Sequence, residues 1–324
     1  MANRSVTIPS LVRVRPRLTI DFTETYGYLS SILDFLWRHF YTCILFTWTD
    51  YKTIMLPITV FACATGPVQS ISNLVQGLLW IWLHLLLCNV SNQARSGAED
   101  AINRPWRPLP SGRLTVTQAI GLRWSMVCLC MLWSTAYGTE ALFATTTLIT
   151  TTILYDEVGM SKTPFGKNLC NIGGYTSFEF GAVKIMGPEN SPDALSITAI
   201  ILSGAVIFTT IQAQDFPDVQ GDAALGRVTL PIYAPEFSRI FTFLAITMWS
   251  SGLGWFWGIG PWCQGIFVAT GLFVGLRYYC WRTPQDDKRS YLLFNCWLIC
   301  AHLLPVKSRM SLPDFEPVGY VQGL

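Results

Sequence analysis

Long apolar blocks separated by short polar connections recur along almost the whole chain. Blocks near the roughly 20 residues that cross a bilayer as helix predict about nine membrane spans. The spans read as residues 44–64, 71–90, 117–137, 141–155, 169–186, 194–214, 237–257, 262–281 and 291–306. An all-α, polytopic membrane bundle follows, because lipid leaves a spanning backbone little choice but helix or closed barrel.

Charge sharpens this partition. The 324 residues are 51% hydrophobic and only 13% charged, about half the charged share of an ordinary soluble domain. Lys and Arg gather on alternate connections, as the positive-inside rule requires. Arg4, Arg13, Arg15, Arg17 and Arg38 precede the first span; Arg95, Arg104, Arg107 and Arg113 follow the second. Lys162 and Lys167 follow the fourth, Arg227 the sixth, and Arg282, Lys288 and Arg289 the eighth. The connections around Gly66-Pro67, Gly138-Thr139 and Gly260-Pro261 carry none. The N-terminus is therefore expected in the cytosol, and the first crossing is expected to act as targeting signal, with the endoplasmic reticulum as destination. Residues 1–43 read as an arm whose stretch 29–41 lies on the membrane surface, 44–307 as the membrane domain, and 308–324 as an exposed tail.

Two polar stretches interrupt the apolar pattern at the mouths of spans: Asn92, Ser96 and Asp100 with Glu99 beside them, and Asp215, Asp218 and Asp222. On a helix each set shares one face. Both follow even-numbered spans and emerge on the same side, where they can meet across the bundle. Three like charges at 215, 218 and 222 repel one another unless a cation is held. An all-oxygen donor set suits Mg2+, which characteristically bridges carboxylates to substrate phosphates, so a diphosphate is the expected guest. Arg107 is the leading ligand for it, with Arg104, Lys162, Lys167 and Asn168 as further candidates.

The remaining polar residues read more plainly. Ten scattered Cys serve as small hydrophobes, and His39, His84 and His302 lack the spacing of a metal site. Glu179, deep in a span, is expected to face the cavity or to pair with Lys184 or another helix. Asp156 and Glu157 read as solvated helix-end charge. Tyr175 and Phe178 are aromatic candidates for a cavity wall.

The first stretch, continued by Asn103-Arg104-Pro105 and Arg107-Pro108-Leu109-Pro110-Ser111-Gly112, resembles the first signature of the UbiA superfamily of intramembrane prenyltransferases. Asp215 to Asp222, continued by Gly226 and Thr229-Leu230-Pro231, resembles the second. The resemblance implies a nine-helix UbiA-type bundle with a central cavity open near the cytosolic side, Mg2+, and a prenyl diphosphate substrate. One departure stands out: the transferase pattern Asn-Asp-x-x-Asp-x-x-x-Asp has Gln93 and Ser96 where its first two aspartates belong. The surviving Asn92, Ser96 and Asp100 resemble the Asn, Ser/Thr, Glu triad of class I terpene synthases. Together the motifs look like those of fungal UbiA-type terpene cyclases.

That resemblance implies a secondary-metabolism lyase: Asn92, Ser96, Asp100, Asp215, Asp218 and Asp222 hold Mg2+, farnesyl diphosphate ionises, and the cation closes to a sesquiterpene. The rival expectation is prenyl transfer to an aromatic or other acceptor by the same metal site. A lipid-binding or transport scaffold would explain the bundle and leave the twin motifs unexplained. The expected partners are the prenyl diphosphate and the bilayer; neither nucleic acid nor a protein partner is expected.

Overall fold

The computed structural model describes residues 22–188, 192–224 and 226–311, without the side chains of residues 22–29, 98, 99 and 102. The N-terminal arginines up to Arg17 and the tail beyond residue 311 lie outside the described residues. The chain divides after Thr42. Helix α1 (Phe22–Thr47) begins in the first unit, where Ile32, Phe35, Leu36 and Trp37 are all more than half exposed.

Among the described residues the second unit contains helices and turns only. Its helices are α2 (Leu56–Thr65), α3 (Ile71–Gln93), α4 (Gly97–Asn103), α5 (Val116–Thr135), α6 (Thr139–Asp156), α7 (Pro164–Met186) and α8 (Ala194–Thr210). They continue as α9 (Val219–Ala224), α10 (Leu230–Tyr233), α11 (Pro235–Phe256), α12 (Pro261–Cys280), α13 (Pro284–Leu303) and α14 (Val306–Met310). Local sequence sets where several begin. Ser70, Thr163, Asp193 and Thr283 each accept a backbone N–H from three residues on, satisfying a donor the first helical turn leaves open. Gly138 and Gly260, at φ +93° and +84°, make the reversals before α6 and α12 that a side chain would resist.

Among the described residues four helical stretches are long and apolar enough to cross a membrane: Ile71–Gln93, Val116–Thr135, Ala194–Ala224 and Pro284–Met310. Eight of the nine expected spans are each carried by one main helix, while the first is broken. Between α1 and α2 a 3-10 turn (Trp48–Asp50) runs into a π-helical turn (Tyr51–Met55), and the apolar stretch 44–64 is not one helix. Large apolar side chains crowd the outer surface: Trp262 is 87% exposed, Met248 72% and Leu132 70%. Water would not tolerate so much apolar perimeter, and lipid does.

Helix α7 is central, packing against α2, α3, α6 and α8. Its approach to α3 is close because Gly181 has no Cβ; one there would lie 2.2 Å from the ring of Trp80, which is buried and pinned by its indole N–H to Ser134 Oγ.

The two ends of the bundle differ. At one end Val228 N–H donates to the carbonyl of Lys162 at 3.0 Å, and Arg104 meets Asp218. At the other, Arg309 on α14 pairs with Asp193 at 2.6 Å and also donates to the carbonyl of Thr65. The hydrogen bond from Arg309 holds the Asp193 carboxyl below its ordinary range. A depressed carboxyl stabilises the fold above its unfolded pKa, near 3.9, and that stabilisation is lost as pH falls through the lower folded value. Thermal stability of the detergent-solubilised protein should therefore be flat in this contribution above about pH 4 and decline below it. Asp193→Asn should remove that share of the decline.

Candidate functional site

The second acidic stretch does not form one α-helical face. After α8 the chain tightens into 3-10 turns at Ile211–Gln214 and Phe216–Asp218, the latter opened by Pro217, before α9 resumes. Phe216 anchors the turn: it is buried, 5.2 Å centroid to centroid from Tyr278, with the Arg239 guanidinium 4.5 Å over its ring. Arg239 is held by paired 3.0 Å hydrogen bonds to Asp287. The first stretch is also broken: α3 ends at Gln93, and Asp100 sits in the separate short helix α4.

These turns bring the two stretches together around a cavity of about 490 Å³, within the range of small-molecule sites. Asn92, Asp215, Asp218, Asp222, Arg104, Arg107, Lys167, Tyr175 and Phe178 all line it. Lys167 Nζ lies 2.8 Å from Asp215 Oδ1 and 3.3 Å from Asp222 Oδ2. Arg227 reaches the other Asp222 oxygen at 3.3 Å, and Arg104 reaches Asp218 at 3.3 Å. Asp215, Asp222 and Lys167 are buried, so none has water enough to stand alone; such groups occur paired or holding a cation.

Several expectations need correction. Ser96 and Asp100 do not line the cavity: Ser96 Oγ donates to Asp100 Oδ2 at 3.1 Å, and Arg107 Nη1 donates to Asp100 Oδ1 at 2.7 Å. Asp100 thus anchors Arg107, a job for which a carboxylate is the natural partner. Lys162 is exposed away from the cavity, and Asn168 donates to the carbonyl of Phe208. Glu179 takes the last of its expected alternatives, a partner on another helix: it accepts from Ser203 on α8 and lies 3.6 Å from His302 on α13, outside the cavity lining, while Lys184 pairs with Glu140. Gln93 is fully buried and donates to the carbonyl of Phe46 at 2.9 Å, turned away from the cavity. The side chain of Glu99 lies outside the described residues.

Other residues on the wall were missed. Asp156 is not solvated charge: it lines the cavity and accepts from Ser91 Oγ at 2.8 Å and Asn92 Nδ2 at 3.0 Å. Glu157 instead pairs with Arg123 and Arg95. Thr49, Asp50 and Lys52, on the broken first span, also line the cavity, and Arg107 Nη2 donates to Thr49 Oγ1 at 3.3 Å. The signal was present, since two charged residues inside an apolar block cost as much there as Glu179 does in its span. Asn89, Asn103 and Asn171 add amide groups to the wall.

The cavity is graded along its helices. On α7 the lining runs from Lys167 through Asn171 and Gly174 to Tyr175 and Phe178; on α3 from Asn92 to Leu85; on α6 from Asp156 to Leu148. Eleven residues of α-helix cover about 16 Å, so charged groups at one end give way to an apolar interior. Tyr175 is fixed by its hydroxyl, which donates to the carbonyl of Thr53 at 2.8 Å.

Burial, with the neighbouring Arg104, presses the Arg107 guanidinium below its ordinary pKa, and Asp100 opposes this. An anion in the cavity would relieve that strain between cations. Arg107→Lys should raise the KM for a diphosphate-bearing substrate by about 10- to 100-fold, the worth of one or two charge-assisted hydrogen bonds. Initial-rate kinetics at saturating metal checks this.

Residues 54–299 match the UbiA prenyltransferase family. The chain belongs to that family. A fumagillin beta-trans-bergamotene synthase of Aspergillus fumigatus is 30% identical over 83% of this chain and 93% of that protein. A polyprenyl transferase of Hericium erinaceus is 31% identical over 80% of this chain and 91% of its own. In structure, a UbiA homologue from Archaeoglobus fulgidus bound to GPP and Mg2+ superposes with TM-score 0.60 at 14% identity, over 82% of this chain and 99% of that one. The fold is the UbiA-type helical membrane bundle, and the chain is an integral membrane protein.

Among the described residues no three His, Cys, Asp or Glu side chains converge closely enough to hold a metal by themselves. The donor set nevertheless fits Mg2+: every candidate presents oxygen, and an ammonium already occupies the cleft between Asp215 and Asp222.

Proposed function

We propose that this protein is a membrane-bound class I terpene cyclase that ionises a linear prenyl diphosphate, farnesyl diphosphate by preference, and closes the resulting cation to a hydrocarbon. One observation carries the reading: a single cavity joins a charged mouth with acids and bases from both motif stretches to an apolar interior. The bergamotene synthase likeness favours cyclisation, as does the absence of carboxylates at Gln93 and Ser96. Nine crossings, an endoplasmic reticulum location and a cytosolic mouth complete the proposal, supported by the alternation of Lys and Arg between connections.

Mg2+ would be held by Asn92, Asp215, Asp218 and Asp222, where it would neutralise charge on the departing diphosphate. Arg107, Arg104, Lys167 and Arg227 bind and orient the diphosphate oxygens at the mouth. The carbon–oxygen bond breaks with its electron pair leaving on the diphosphate, toward these cations and away from the interior. Leu85, Leu148 and Phe178 exclude water from the allylic cation, whose own double bonds then become the nearest nucleophiles. The rings of Tyr175 and Phe178 can stabilise passing positive charge by about 0.5–2 kcal/mol each. Loss of one proton ends the reaction.

Membranes containing the protein, given Mg2+ and farnesyl diphosphate alone, should yield a cyclic hydrocarbon identifiable by gas chromatography and mass spectrometry. A prenylated acceptor as the sole product, formed only when an acceptor is added, would support the second reading, intramembrane prenyl transfer, which the polyprenyl transferase likeness favours.

A further inference from the structure

Of the three first-motif residues expected to act on the cation, only Asn92 lines the cavity. Asn92 is not placed by its own helix alone. Its Nδ2 donates to Asp156 Oδ1 at 3.0 Å, and the other oxygen of Asp156 accepts from Ser91 Oγ at 2.8 Å. Ser91 and Asn92 are adjacent on α3, whereas Asp156 is the last residue of α6. A carboxylate offers no donor, so it captures the nitrogen of the Asn92 amide and leaves the carbonyl oxygen of this cavity-lining residue for another partner. An amide presenting oxygen can hold a hard cation; one presenting NH2 repels it.

We infer that Asp156 is a positioning residue for the cation site: from α6 it supplies the carboxylate that the first motif lacks at Gln93 and Ser96, and fixes Asn92 with its oxygen toward the metal. The inference rests on the proposed function, because it concerns the same cation and diphosphate. It explains how a motif stripped of two carboxylates still serves a divalent ion, since outer partners of metal ligands typically govern metal affinity by 10- to 100-fold. Negative charge lost from α3 is regained across the helix pair. The Lys167–Asp215–Asp222 group lines the same cavity from other chain segments, so the site would draw carboxylate from more than one segment.

The test reads binding rather than turnover. Purified protein in detergent is titrated with Mg2+ at fixed inorganic pyrophosphate, and the rise in thermal unfolding temperature gives the half-saturating Mg2+. Asp156→Asn keeps the shape but removes the negative charge and offers Asn92 either an amide oxygen or an NH2, so the acceptor-only partner that fixes the Asn92 amide in one orientation is lost. Half-saturating Mg2+ should rise at least about tenfold, with the unfolding temperature in the absence of Mg2+ within a few degrees of the parent. The exchange Asn92→Asp with Asp156→Asn moves the carboxylate to α3 and the amide to α6, and should return half-saturation to within about threefold of the parent. Should Asp156→Asn fail to fold, the exchanged protein carries the test, and a tenfold loss in that folded protein overturns the inference. Parental Mg2+ dependence in folded Asp156→Asn, with binding lost in Asp215→Asn, overturns the inference and leaves the proposed function standing. Parental Mg2+ dependence in Asp215→Asn as well removes the proposed function itself.

Discussion

Asp215→Asn is expected to lower turnover of a prenyl diphosphate by at least about 100- to 1,000-fold, the usual consequence of removing one preorganised electrostatic partner from a water-poor site. Asp215 is 2% exposed and 2.8 Å from Lys167. In the proposed reaction its carboxylate has two tasks, holding the cation and fixing the ammonium that binds phosphate oxygen. An amide of the same volume performs neither well. Lys167 would retain Asp222 at 3.3 Å, so the ammonium is not left buried without any partner, which is the case that costs several kcal/mol. The variant should therefore insert in the membrane and unfold cooperatively near the parental temperature, while product formation per mole of folded protein drops. A loss under about tenfold would move the chemistry away from the second acidic stretch.

Withdrawal of divalent metal should have an effect at least as large. The mouth gathers Asp50, Asp156, Asp215, Asp218 and Asp222 against Lys52, Arg104, Arg107, Lys167, Arg227 and Lys288. Much of that basic charge is already committed: Arg107 to Asp100, Lys167 to Asp215 and Asp222, Arg104 to Asp218. A multiply charged leaving group is poorly neutralised by cations that already answer carboxylates. Chelation should lower the rate by at least about 1,000-fold, consistent with the several kcal/mol a Lewis acid contributes. Re-addition of Mg2+ should restore it, and Ca2+, with its looser geometry and longer bonds, should restore far less.

The long helices were legible because their physics is one-dimensional. An apolar block of sufficient length is a helix in lipid whatever its neighbours do, and α3, α5 and α11 begin and end within a few residues of the expected limits. The first span was misread for the same reason. Average apolarity over 44–64 hid Asp50 and Lys52, whose charges are tolerable because the 3-10 and π turns carry them to the cavity wall rather than to lipid. Periodicity cannot reveal such a local change of helix type.

The two polar stretches that border the cavity were legible, and their geometry was less so. Oxygen-bearing residues at the ends of apolar blocks mark both stretches, and α-helical spacing predicts one face for each. The breaks after Gln93 and around Pro217 re-aim individual side chains, so that Ser96 and Asp100 support Arg107 instead of joining the wall. Asp156 illustrates the converse. A helix-end acid ordinarily belongs to solvent, and only the packing of α6 against α3 gives it Ser91 and Asn92 as donors. Glu179 follows the rule that a buried charge finds a partner, but that partner, Ser203 with His302 behind it, comes from α8 and α13. No spacing within α7 encodes those neighbours.

The most direct measurement is the stoichiometry of inorganic diphosphate released from farnesyl diphosphate by the protein in Mg2+ and without any acceptor. One diphosphate should appear for each farnesyl diphosphate consumed, at a rate unchanged when candidate aromatic acceptors are added. Release that begins only on addition of an acceptor, in proportion to the acceptor prenylated, would contradict cyclisation within the cavity.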